Sequence, residues 1–298
     1  MSYDTNLSDS SRSPIDLGRR GFASLLTLTV ALVAGTIILG VAARTTGSGL
    51  ACDANWPVCD GGFLNLLPQG QPSFWEWIHR VVAMLAGFAI IASAAIALVS
   101  DEIDRRVAWL VTAGMVLTPI QVYLGRETVL TYEMTVLNFH FWTAIVIFVL
   151  FVVALVLVWH HQLSTRHVAL ALAVGAITVP IQVLLSPLFI QQNTPTTLTL
   201  QMGVLLTLIG VVTLAAMVGP NRLEARSTLG AIAASLVLTV ATLILSREAV
   251  MTYSAALDFV YVAVAGVLFL TLVVAAWLVN REAGRRGRTR GRGEPLAD

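Results

Sequence analysis

The chain has 298 residues, 57% hydrophobic and 12% charged, with a formal net charge of +1 and a mean hydropathy of +0.81. A water-soluble domain of this length cannot be so apolar, so the composition excludes a soluble enzyme and points to an integral membrane protein. In hydrocarbon every backbone polar group needs an internal partner, so apolar runs of about 20 residues cross only as helices.

Residues 1–21 are polar, rich in Ser and Asp, and read as a cytoplasmic N-terminal segment. Apolar stretches follow at roughly 22–43, 76–99, 107–124, 139–159, 168–188, 198–218, 228–245 and 258–279. The first is too long for a signal-peptide core and lacks a convincing cleavage site, so it is expected to be retained as a helix. The fold class expected is an all-α membrane protein of eight transmembrane helices, arranged as two pseudo-symmetric four-helix bundles. The first unit spans 22–160, the second 161–280, and 281–298 form a basic cytoplasmic tail.

All 18 basic residues are arginines. Arg12, Arg19, Arg20, Arg105, Arg106, Arg166, Arg222, Arg226 and the tail arginines from Arg281 to Arg292 fall on one side of the predicted spans. Only Arg44, Arg80, Arg126 and Arg247 fall on the other, so the positive-inside rule places both termini in the cytoplasm of a multi-pass cell-membrane protein. The tail reads as a topology signal or an anionic-lipid contact, and no nucleic-acid partner is expected.

Between the first two spans lie Cys52 and Cys59. Six residues between two cysteines in an outer loop allow a disulfide, which is the pairing expected here. Half of a zinc site and a redox-active pair are the alternatives.

The second span opens with Glu76, His79 and Arg80, and the fourth with His140. Glu76 and His79 are three residues apart and share a face, continued inward by Ala83 and Gly87, while Ala144 lies one turn below His140. Ionisable groups at membrane depth are costly unless paired or ligated. Two imidazoles at equal depth over small residues suit axial ligation of haem iron, with Trp77, Phe139, Phe141 and Trp142 as possible walls. Two other readings stand beside it: histidines as interface anchors, and a two-His, one-carboxylate iron site with Glu76. Arg80, and more weakly Arg44 and Arg126, are candidates for haem carboxylates, although Arg126 could instead pair with Glu127 or Glu133 and Arg80 could snorkel.

The segment Leu124–Tyr132 matches Leu245–Tyr253 without a gap, which relates the two halves as an internal repeat. In that register Tyr261 stands where the first half has His140, and Met202, or Gln201 after a one-residue slip, stands opposite His79. The second half therefore lacks a histidine pair at these positions. Met202, Gln201 and Tyr261 are not expected to ligate, and apolar packing is expected at their positions. Small-residue helix faces permit a homo-oligomer without requiring one.

Four motifs stand between residues 40 and 145: Arg44-Thr45-Thr46-Gly47-Ser48-Gly49-Leu50 followed by Cys52, Trp56-Pro57 and Cys59; Glu76-x-x-His79-Arg80; Gln121-x-x-Leu124-Gly125-x-x-Thr128-Val129; and His140-x-x-x-Ala144. On these motifs the segment resembles the haem A synthase family, and the resemblance extends weakly over the whole chain. It implies oxidation of a ring methyl of haem O to the formyl group of haem A, with the substrate held by His79 and His140 near the extracytoplasmic face. It also implies a reaction role for Glu76 and carries over the Cys52–Cys59 pair. Family members commonly hold haem b in the second half, and here that site is degenerate. The implied partners are haem O, an unidentified electron acceptor, and a haem O synthase or the assembly of a terminal oxidase. A non-enzymatic haem-binding or assembly protein, or a b-type electron carrier, is the alternative, and a transporter a third class suggested by the repeat alone.

Overall fold

The structure is a computed structural model that describes residues 18–51, 73–131, 133–190, 194–252 and 254–291. The helices are α1 (Gly18–Thr45), α2 (Ser48–Ala51), α3 (Phe74–Val99), α4 (Arg105–Leu130), α5 (Met134–Trp159), α6 (Thr165–Leu184), α7 (Pro187–Ile190), α8 (Pro195–Arg222), α9 (Arg226–Thr252) and α10 (Ala255–Gly291). Eight of them are long and apolar enough to cross a membrane, and no strand occurs among the described residues. The chain is an all-helical, multi-pass membrane protein.

Most helices outrun their apolar stretches, because a helix continues through the polar interface where charged residues still favour it. Thus α4 runs six residues beyond the predicted end, through Arg126 and Glu127 to Leu130. The fifth span does the opposite. Proline disfavours helical geometry in the residue before it, so Pro187 ends the path at Ser186 and a separate short helix follows. Caps fix other boundaries: Asp104 accepts from Arg106 N at 2.7 Å before α4, and Thr194 accepts from Thr197 N before α8, which begins with Pro195.

Contacts run from α1 to α3, α3 to α4, α4 to α5 and α5 back to α1. They run likewise from α6 to α8, α8 to α9, α9 to α10 and α10 back to α6, and α8 also packs on α1 and α5. Close approach depends on small or polar residues. The Thr29 and Ser93 hydroxyls meet at 3.0 Å between α1 and α3, and Gly114 of α4 lies directly against the Phe151 ring of α5. Small interfacial residues and interhelical hydrogen bonds are the usual means of helix association where lipid removes the hydrophobic drive.

Candidate functional site

The site begins where α1 ends. Gly47 has φ +71°, a left-handed geometry that glycine adopts without a Cβ penalty, and its N–H bonds back to Arg44 O at 3.1 Å. This turn feeds directly into α2 and sets Ser48 against the start of α3. The Ser48 hydroxyl accepts from Glu76 N at 2.8 Å, satisfying one of the amides that a helix start leaves open. Glu76 is buried, and its Oε1 accepts from Arg80 Nε at 2.8 Å, one turn along the same helix.

His79 and His140 line one cavity of ≈ 790 Å³. His79 Nδ1 lies 3.0 Å from the Thr36 carbonyl of α1, which only accepts, so Nδ1 carries the proton. The lone pair is thereby left on Nε2, the arrangement found where an outer hydrogen bond orients a ligating imidazole. On the other wall His140 Nε2 lies 3.4 Å from the Gln121 amide nitrogen of α4. Among the described residues, His140 Nδ1 and Gln121 Oε1 are buried without a partner. Orphaned polar atoms of this kind call for an occupant.

Each ring also rests on a glycine of a neighbouring helix. A Cβ on Gly40 of α1 would stand 3.1 Å from His79 Cε1, and one on Gly125 of α4 would stand 3.1 Å from His140 Cε1. The donor set, the glycine notches and the orphaned atoms fit a flat ring with a metal at its centre.

Around the histidines the walls include Glu76, Trp77, Arg80, Ala83, Gly87, Phe141 and Ala144, all singled out from the sequence. Phe139 and Trp142 do not line it, and Phe139 is 61% exposed. The reason is helical phase: Leu137, His140, Phe141 and Ala144 form one stripe at i, i+3, i+4 and i+7, and residues 139 and 142 fall off it. Arg126 pairs with Glu127, as the sequence allowed, and does not border the cavity. Arg44 does border it, and so does Arg247, a residue the sequence reading left without a role. Cys52 and Cys59 lie outside the described residues.

The counterparts in the second half behave differently from expectation. Gln201 and Met202 of α8 line the same cavity as the two histidines, because α8 packs on α1 and α5. Tyr261 is not in apolar packing alone: its hydroxyl donates to Gln182 Oε1 of α6 at 3.0 Å, and Gln182 Nε2 donates to the Gln201 carbonyl at 3.4 Å. Tyr261 and Gln182 are each 1% exposed. Burying a phenol without a partner is costly, which explains a glutamine facing it. These residues do not fit an imidazole-ligated haem. An amide within the apolar run 168–188 was the signal that could have located this contact.

No family model matches the chain. It is 27% identical to the heme A synthase of Bacillus pumilus over 155 residues, 51% of this chain and 49% of that protein. With the heme A synthase of Bacillus licheniformis it shares 28% identity over 110 residues, 37% of this chain and 35% of that protein. It is also 32% identical over 110 residues to the protoheme IX farnesyltransferase of Halobacterium salinarum, 37% of this chain and 23% of that protein. The chain thus spans about half or less of the length of these curated relatives.

Proposed function

We propose, from its similarity to the heme A synthases of two Bacillus species, that this chain is a membrane oxidoreductase which oxidises a ring methyl of haem O to the formyl group of haem A. One observation carries the reading: imidazoles from α3 and α5 line a single cavity, beside a buried carboxylate on the same helix as the first. The unit 22–160 supplies both histidines, and 161–280 supplies further walls through α8 and α9. With both termini cytoplasmic, the cavity opens toward the extracytoplasmic face.

Converting a methyl to a formyl group removes four electrons and adds one oxygen; with water as oxygen source, four protons are also released. The haem iron and ring supply the redox chemistry when the substrate is bound. The chain's own residues position and buffer it. Thr36 orients His79, and Gly40 and Gly125 leave room for the rings. Glu76, held by Ser48 and Arg80, is placed to accept a proton or to stabilise positive charge as electrons depart. Electrons leave to an external acceptor, or to dioxygen. A haem O synthase would supply the substrate and a terminal oxidase would receive the product.

A second reading, a haem carrier or assembly protein, is favoured by the Glu76–Arg80 ion pair, since a carboxylate neutralised by its neighbour also serves a purely structural purpose. Expression with a haem O source followed by pigment extraction separates the two. Formyl haem in the extract supports the oxidase, and unmodified haem alone supports the carrier. Replacing His79 or His140 by Ala should abolish the low-spin spectrum in either case.

A further inference from the structure

The internal match places Arg247 as the second-half counterpart of Arg126, yet the two arginines do different things. Arg126 pairs with Glu127 away from the cavity. Arg247 of α9 reaches across to α5: its Nη2 donates to Asn138 Oδ1 at 3.0 Å, and its Cζ sits 4.4 Å from the centre of the Phe141 ring. Asn138 and Phe141 flank His140. In the opposite direction Arg44 of α1 reaches α9, where its Nη2 donates to Met251 Sδ at 3.3 Å, a weak acceptor.

Both guanidinium groups border the cavity, and neither is in an ion pair among the described residues, where the pairs are Arg80–Glu76 and Arg126–Glu127. Arg247 Nε is buried and has no partner. Two like charges held this way at a partly buried mouth repel each other, and Glu248, the carboxylate next to Arg247 in sequence, attracts Arg247 without forming an ion pair with it, so an anionic ligand would remove a remaining cost. Guanidinium forks match planar carboxylates, and cation–π stacking on Phe141 fixes the orientation of one fork.

We propose that Arg44 and Arg247 form the anion-binding end of the cavity and grip the ring carboxylates of the haem, so that the second half of the chain contributes a substrate-positioning arginine to the first-half site. This rests on the haem reading above. It assigns to Arg247 the role that the sequence offered to Arg126, and it gives the half without a histidine pair at the matching positions a part in substrate binding. A lipid phosphate could satisfy the same two cations, and the test separates these sources.

The test uses the full chain in phosphatidylcholine nanodiscs, titrated with ferric protohaem and with its dimethyl ester, read by the Soret shift. Wild type should bind the diacid about tenfold more tightly than the diester, the scale of one charge-assisted contact. Arg247→Gln should reduce that ratio about threefold, with the low-spin spectrum retained. Arg44→Gln, as a second variant, should reduce the ratio in the same direction. A ratio as large in both variants as in wild type overturns the proposal and leaves the haem reading intact, as expected if these arginines serve a lipid phosphate. Absence of a low-spin spectrum from wild type with either pigment overturns the haem reading and this inference together.

Discussion

A Cβ on Gly125 would stand 3.1 Å from Cε1 of His140, closer than side chains normally approach. The imidazole therefore occupies a notch in α4 that exists because residue 125 has no side chain, and Gly40 makes the same notch in α1 for His79. Filling either one forces the ring to move by a few tenths of an ångström, and axial ligation depends on ring position. Gly125→Ala should weaken haem binding about tenfold, or about 1.4 kcal/mol, with helix content unchanged. Soret titration beside circular dichroism checks it; unchanged affinity would show that the notch does not constrain the ligand.

Ser48 acts on Glu76 through the backbone, since its hydroxyl accepts the Glu76 N–H at 2.8 Å. Ser48→Ala leaves a buried amide without its acceptor and should cost about 1 kcal/mol at the start of α3. Glu76→Gln removes the carboxylate charge while keeping a similar shape. It should retain the low-spin haem spectrum and lose formyl haem production, whereas a purely structural Glu76 would leave product formation in place. Haem extraction from cells expressing each variant gives the readout.

The spans were legible because hydrocarbon leaves a chain of this composition few options, and the Glu76, His79 and Arg80 cluster because helical spacing fixes which residues share a face. Phase also corrects the aromatic walls: with Phe141 and His140 on the cavity stripe, Phe139 faces out. Arg247 could not be read this way. Its register assigns it to the second half, and only the packing of α9 on α8 and of α8 on α5 brings its long side chain within reach of Asn138. The Thr36 carbonyl that orients His79 is likewise a backbone atom, silent in the sequence.

Tyr261 stands where the internal match places the counterpart of His140, and its hydroxyl is held by Gln182 at 3.0 Å in a fully buried contact. Tyr261→Phe removes the donor and leaves Gln182 Oε1 in an apolar interior. A loss of about 1–3 kcal/mol is expected, the cost of an unsatisfied buried polar group. The haem spectrum should not change, because the hydroxyl is bonded to Gln182. Thermal unfolding in detergent, followed beside the Soret band, measures both; loss of haem in this variant would mean that the second half holds pigment through Tyr261.

Gly114 tests packing away from the site. A Cβ there would overlap the ring of Phe151, a side chain with no solvent exposure, and a rigid aromatic wedged between α4 and α5 has little room to yield. Overpacking of this kind typically costs about 1–3 kcal/mol. Gly114→Ala should therefore lower the unfolding midpoint, and the companion change Phe151→Leu in the same chain should recover part of the loss by opening space for the new methyl. Since α4 carries Gln121 and Gly125 and α5 carries His140, separation of these two helices should also weaken haem binding in the single variant. Recovery of affinity in the double variant would tie the loss to this one contact, and a single variant as stable as wild type would show that the two helices part without penalty.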